Sequence, residues 1–205
     1  MTMQLDHIMF ATNDLDTGIK HVESLTGVKA EYGGSHPGGG TRNALLSFGG
    51  RQYLEILAPD PHQESVNTLG QSLGSKTVPF IRTWAVAVSG FDTLKGVLHQ
   101  SGYGCNIIDM SRTRPDGVQL KWQLLFVEGH EFGLAMPFFI DWLESPHPSD
   151  QAPGGCELIS FSVLCPEADK FNILADSIGL EVEVSAGEKS FAARMNTPKG
   201  LVTLH

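Results

Sequence analysis

Alternation of period two opens the chain. In Leu5-Asp6-His7-Ile8-Met9-Phe10 it sets Leu5, His7 and Met9 on one face of a predicted strand and Ile8 with Phe10 on the other. Apolar residues then recur at helical spacing (Leu15, Ile19, Val22, Leu25). Asn13 or Asp14 is placed to cap that helix, and Gly27 to end it in a left-handed conformation. Strand-like runs at Ala44–Phe48 and Tyr53–Leu57 flank Gly49-Gly50-Arg51-Gln52 and read as a hairpin. A short strand around Val28–Tyr32 completes a βαβββ unit. In its closing strand Leu54 and Ile56 turn toward the helix, which leaves Tyr53, Glu55 and Leu57 on the face shared with His7.

The pattern then begins again at a nearly constant interval, from Thr83 and from Glu157. The second copy reads as a strand at Trp84–Val88, a helix carrying Leu94, Val97 and Leu98, and strands at Asn106–Met110, Leu120–Val127 and Phe132–Met136. The third has Leu158–Leu164, a helix with Phe171, Leu174, Ala175 and Ile178, and strands near Val182–Val184, Phe191–Met195 and Leu201–Leu204. The intervening Gly33–Gly40, Pro59–Pro79, Ser111–Gly117 and Ser145–Gly155 are rich in Gly, Pro, Ser or Asp and read as loops. Pro59–Pro79 has room for a short helix or a flap over a pocket. The fold class is α+β: repeated βαβββ modules forming a cupped mixed sheet with helices outside, plus a third C-terminal module of the same type. Residues 3–60 and 81–142 pair as one domain within 1–145, and 156–205 form the third module. Two such units joined edge to edge enclose a concave face suited to a small ligand.

Composition narrows the function classes. The 205 residues are 41% hydrophobic and 18% charged, which suffices for a buried core. Fourteen basic against twenty-three acidic residues give a net charge of −9, and no basic stripe is present to follow phosphates, so nucleic acid is excluded as a partner. Neither an apolar run of membrane-spanning length nor a signal core stands at the N-terminus, so the expectation is no membrane and a cytoplasmic address. Cys105, Cys156 and Cys165 are odd in number and lack CxxC spacing, which reads as reduced thiols.

Several motifs carry a resemblance. The opening Leu5-Asp6-His7-Ile8 and closing Tyr53-Leu54-Glu55-Ile56, set in repeated βαβββ units, resemble the vicinal oxygen chelate superfamily of glyoxalase I, extradiol dioxygenases and bleomycin-resistance proteins. His36-Pro37-Gly38, the run Gly40 to Leu45, Arg112 to Gly117 and the run Pro137 to Trp142 are similar to a bacterial glyoxalase-like subgroup. The resemblance implies a divalent metal (Zn, Fe, Mn or Ni) held by the first and last strands of two modules, and lyase, isomerase or oxygenase chemistry on a carbonyl- or carboxylate-bearing metabolite. His7 and Glu55 fit the first module's ligand positions. Their second-module counterparts, in the register predicted here, are Trp84 and Leu134, which cannot ligate; His36, His130, His147 and Glu131 are the available helpers. Three readings of the pair therefore stand: an incomplete metal site, a metal-free ligand-binding or acid–base pair in which Glu55 removes a proton beside a substrate carbonyl, and a structural polar pairing. A non-catalytic small-molecule binder of the antibiotic-resistance type is the alternative, in a monomer or homodimer.

Substrate contacts are expected from His36, Thr41, Asn43 and Tyr53 around the cup, and from Trp122 as an aromatic floor. Arg112 and Arg114 precede a turn at Pro115-Asp116-Gly117. One of these guanidinium groups, with Arg114 favoured, is expected to grip an anionic group at the cup's mouth. Asp141 completes the set, positioned to orient His147 or Arg114 or to cap the local chain.

Overall fold

The computed structural model describes residues 3–63, 69–75, 77–114 and 116–205. The first unit is β1 (Gln4–Ala11), α1 (Leu15–Thr26), β2 (Glu31–His36), β3 (Thr41–Gly49) and β4 (Gln52–Pro59). A short helix α2 (Leu69–Gly74) leads to the second unit, β5 (Phe80–Ala87), α3 (Asp92–Gln100), β6 (Gly104–Thr113), β7 (Gln119–Glu128) and β8 (Phe138–Asp141). Their strands form one eight-stranded sheet in the order β2-β3-β4-β1-β5-β8-β7-β6. In each unit the closing strand runs parallel to the opening one, β4 beside β1 and β8 beside β5, and β1 joins β5 antiparallel. The sheet curls until its edge strands β2 and β6 touch, so one face becomes the interior of a cup.

Local chemistry explains why the elements start and stop where they do. Asp14 caps α1 by accepting from the Thr17 amide at 2.8 Å, and Gly27 ends it at φ 78°. The stripe Leu15 and Val22 then packs with Leu54 and Ile56 on the outer face, as alternation predicts. Met9, Tyr53, Leu57, Trp122, Phe138 and Ile140 gather on the inner one, with Leu73 of α2 closing over them. Gly70 of α2 rests on the Gly40 carbonyl so closely that a Cβ would lie 1.9 Å from its oxygen, which only glycine permits.

Three elements depart from the sequence pattern. The second strand begins later than Val28 and runs through His36, so His36 is a strand residue and not a loop one. Likewise β6 continues through Thr113, past the predicted loop start at Ser111. The second unit's closing strand is Phe138–Asp141, not Phe132–Met136: Gly133 takes φ 60° in a tight 3-10 turn, and Pro137 carries no amide for a ladder, so extension resumes only beyond it.

The third unit is β9 (Glu157–Cys165), α4 (Ala168–Ile178), β10 (Glu183–Ala186), β11 (Ser190–Thr197) and β12 (Gly200–Leu204). Its element order repeats the βαβββ pattern; its strand order, β10-β9-β11-β12, does not. Here the opening strand β9 pairs with the second and third strands of its unit, so β12 is left at an edge. With no partner unit to curl against, this sheet packs onto the outside of the cup. Val163 and Phe171 join Trp84, Val86 and Leu94 in one core, and Ala193, Met195 and Leu204 join Leu15 and Val22 in another. Cys105, Cys156 and Cys165 are free thiols. Among the described residues no helix is long and apolar enough to cross a membrane.

Candidate functional site

The cup encloses a cavity of about 370 Å³. One end is polar, because four adjacent strands each deliver a side chain to it. Parallel pairing sets His7 opposite Tyr53 and Met9 opposite Glu55, so His7 and Glu55 are diagonal neighbours on one face. Leu57 opposite Asn43, and His36 opposite Thr41, bring β3 and β2 to the same place. The result is a continuous set of contacts. His7 Nε2 lies 3.7 Å from Glu55 Oε2, and the Asn43 amide donates to Glu55 Oε1 at 2.6 Å. The same amide lies 3.2 Å from His36 Nε2, and His36 Nδ1 is 3.0 Å from Thr41 Oγ1. Tyr53 stacks on the His7 ring at 4.7 Å between centroids, and Phe138 of the second unit meets it edge-on.

A fully buried carboxylate stands behind His7. The pairing of β1 with β5 slips between Leu5 and His7. Such a bulge turns consecutive residues to one side, so Asp6 shares the inner face and Leu5 packs with the outer cores instead. Asp6 Oδ1 takes the His7 Nδ1 hydrogen at 2.6 Å, while Oδ2 accepts from Trp142 Nε1 and His147 Nε2, each at 3.0 Å. His147 Nδ1 in turn accepts from the Ser149 amide, which fixes the tautomer that donates to Asp6.

This wiring sets the charges. Burial alone would raise the Asp6 carboxyl, but the hydrogen bonds from His147 and His7, with the charge of His7, outweigh it and bring its pKa to about 2. Burial depresses His7, yet the hydrogen bond to Asp6, with the charges of Asp6 and Glu55, moves it above its ordinary value. His36 is pushed down by burial, against the charge of Glu55, and stays neutral. Asp6 thus contributes about 2 kcal/mol that is present above pH ~4 and lost as pH falls toward 2. His7 contributes below its unfolded pKa of about 6.5, and that share is lost as pH rises through its higher folded value. Thermal melting across pH is therefore expected to peak between these limits and to fall on both sides. An acid limb already complete at pH 4 would contradict the Asp6 assignment.

The predicted contacts divide. His36, Thr41, Asn43, Tyr53 and Trp122 line the cavity with His7 and Glu55. Arg114 does not: it leaves the end of β6 and pairs with Asp116 in a second groove, on the far side of Arg112. Pro115 of that turn lies outside the described residues. Asp141 accepts from the amides of Gly90 and Leu143 and caps the local chain. The guanidinium that enters the cavity belongs to Arg112, whose strand phase matches Met110 and whose Nη1 donates to Asn43 Oδ1 at 3.2 Å. The loop reading of Ser111–Gly117 hid this phase. The second unit's positions facing His7 and Glu55 are also corrected. Trp84 points into the outer core, donating to the Ala135 carbonyl, and Leu134 sits on the rim turn. Thr83, Ala85, Phe138 and Ile140 occupy the inner face instead.

None of those four supplies a metal ligand of the kind the first unit has. Among the described residues no group of three or more His, Cys, Asp or Glu side chains is arranged to hold a metal ion. The Asn43 amide occupies one Glu55 oxygen, and behind it stands a guanidinium. The arrangement does not fit a divalent cation.

The profile of the glyoxalase-like domain family matches residues 5–176. The chain belongs to that family. Among solved structures this glyoxalase-like protein is similar to a hypothetical protein from Staphylococcus aureus, at 17% identity over 99% of this chain and 84% of that one, with a TM-score of 0.68. It also resembles methylmalonyl-CoA epimerase from Mycobacterium tuberculosis, at 18% identity over 68% of this chain and 87% of that one, TM-score 0.47. A methylmalonyl-CoA epimerase in complex with methylmalonyl-CoA and NH4+ aligns at 18% identity over 71% of this chain and 100% of that one, TM-score 0.49. No curated protein matches. The likeness to the Staphylococcus aureus protein shows the fold.

Proposed function

We propose that this glyoxalase-like protein is a metal-independent enzyme that moves a proton at a carbon next to a carbonyl, the first step of an isomerase or lyase reaction. The observation that carries this reading is the opposition of His7 Nε2 and Glu55 Oε2, 3.7 Å apart at the polar end of a cavity with apolar walls. Glu55 Oε2 is the oxygen that Asn43 leaves open, and it takes the proton as the C–H bond breaks. The electron pair moves onto the carbonyl oxygen. His7 meets that oxygen with Nε2–H, its other nitrogen being held by Asp6. Return of the proton to the face it left regenerates the substrate, and delivery of a proton to the opposite face isomerises it; loss of a group from the neighbouring carbon makes the reaction a lyase.

The apolar walls of Met110, Leu124, Phe126 and Phe138 favour one competing reading, a binder that sequesters a hydrophobic molecule. A single experiment separates the two. Wild-type protein, stripped with EDTA, is incubated in D2O with a panel of ketones, aldehydes and 2-oxo acids, followed by proton NMR and thermal shift. Deuterium is expected to enter the carbon next to the carbonyl faster than in buffer, at the same rate with and without added divalent metal. Stabilisation by panel members without exchange would transfer the case to the binder, and exchange that requires metal would overturn the metal-independent mechanism.

A further inference from the structure

Arg112 is buried to 7% exposure, yet among the described residues it makes no ion pair. Its one hydrogen bond spends Nη1 on the neutral amide oxygen of Asn43. Nε is buried with no partner at all. A buried cation in that condition is costly to keep. Glu55, whose charge acts on Arg112, is reached only through Asn43, so the compensation inside the protein is indirect. The chain nevertheless makes room for this guanidinium. Arg112 stands on the edge strand β6 and crosses to the opposite edge, where β2 carries Gly33 and Gly34. A Cβ at Gly33 would lie 2.4 Å from Asn43 Oδ1, and one at Gly34 would lie 3.3 Å from Arg112 Nη1.

We infer that Arg112 is the anchor for a carboxylate of the cavity's ligand, and that the ligand is a carboxylic acid with an apolar body. The inference rests on the cavity being a ligand site, as proposed above, but not on the chemistry done there. Nη2–H is unpartnered and, unlike Nε, not sealed off, so it is the donor a carboxylate meets first; Nε–H, buried and unpaired beside it, completes the two-donor edge once the guanidinium turns toward the ligand. Asn43 ties the anchor to the base, so a carboxylate on Arg112 places the rest of the molecule between Glu55 and the apolar wall of Met110, Trp122 and Phe126. The alternative is that Arg112 only positions Asn43, in which case an anion gains nothing by entering.

The test compares matched probes that differ only in charge. Nitrogen-15 NMR follows the Arg112 Nε–H of the wild-type protein during titration with acetate and with acetamide. Calorimetry gives the affinities of hexanoate and hexanamide for wild type, Arg112→Gln, Arg112→Lys and Glu55→Gln. Acetate is expected to shift the Nε–H saturably while acetamide does not, and hexanoate to bind about tenfold more tightly than hexanamide. That preference should vanish in Arg112→Gln, weaken in Arg112→Lys and persist in Glu55→Gln. Equal affinities of acid and amide for wild type, an unshifted Nε–H in acetate, or a preference that survives Arg112→Gln would each overturn the inference. Should Arg112→Gln fail to fold, the wild-type NMR titration decides. Because Glu55→Gln removes the proposed base and leaves the anchor, loss of proton exchange with the acid preference intact separates failure of the mechanism from failure of the anchor.

Discussion

Asp6→Asn is expected to lower turnover by about 10²- to 10³-fold while leaving a folded protein. The carboxylate serves three donors, His7 on one oxygen and Trp142 with His147 on the other. An asparagine keeps one oxygen. Two donors claim it on the Trp142 and His147 side, so the new NH2 group turns toward His7 and can be satisfied only by the His7 Nδ1 lone pair. His7 then carries its proton on Nε2 without a carboxylate behind it, and its charged form loses the hydrogen bond that raises it. Nε2–H remains, but the imidazolium, the stronger partner for the enolate oxygen, becomes harder to form. Nitrogen-15 NMR of the His7 ring reads the tautomer directly, and the exchange assay reads the rate. An unchanged Nδ1–H signal with full activity would show that Asp6 is only a packing residue. The acid limb of the stability profile should also flatten, because the group that titrates near pH 2 is gone.

Much of this arrangement is legible in the sequence because half-buried strands announce their faces. Alternation in Tyr53 to Leu57 places Glu55 inside and Leu54 outside, where the structure has them. The helix α1 is bounded by residues whose capping chemistry is local. Alternation fails wherever the ladder slips. The bulge between Leu5 and His7 turns Asp6 inward beside His7, and nothing in Leu5-Asp6-His7 marks it, since the extra residue is defined only by pairing with β5. Trp84 shows the same fault: taken as the counterpart of His7, it lies one residue out of phase and faces the outer core. Two errors had readable warnings. Gly133 and Pro137 bracket a segment that cannot be a regular strand, and an arginine two residues after Met110 would share its face if β6 were long enough.

Each of the three units holds a different share of what the repeat promises. The first keeps the ionisable cluster, the second contributes an apolar wall and Arg112, and the third repeats the element order but not the pairing. The third unit still bears on the site. It packs Phe161 against Trp84 and Phe171 into the same core, which holds β5 from behind, and β5 presents Thr83 to the cavity. Rigidity behind β1 and β5 matters because the His7–Glu55 gap is set by strand positions and not by a direct bond.

Glu55→Gln separates stability from function more cleanly than any other substitution in the cluster. The side-chain volume is conserved, and the amide oxygen can keep the hydrogen bond from Asn43 at the Oε1 position. The new NH2 then occupies the Oε2 position and faces His7 Nε2, where it can donate to neutral His7 but offers nothing to the charged form. Burial of a charge ends, so melting is expected to hold or rise. His7 loses one of the charges that raise it, and its pKa should fall toward the ordinary value. A glutamine has no basic oxygen to take a proton from carbon, so exchange at the carbon next to the carbonyl is expected to drop by about 10²- to 10⁴-fold. Melting curves, the His7 titration and the exchange rate, measured on one preparation, test the three consequences together. A Glu55→Gln protein that melts as wild type and still exchanges at the wild-type rate would remove Glu55 from the mechanism. One that unfolds would show instead that the carboxylate is needed to balance His7 and Arg112.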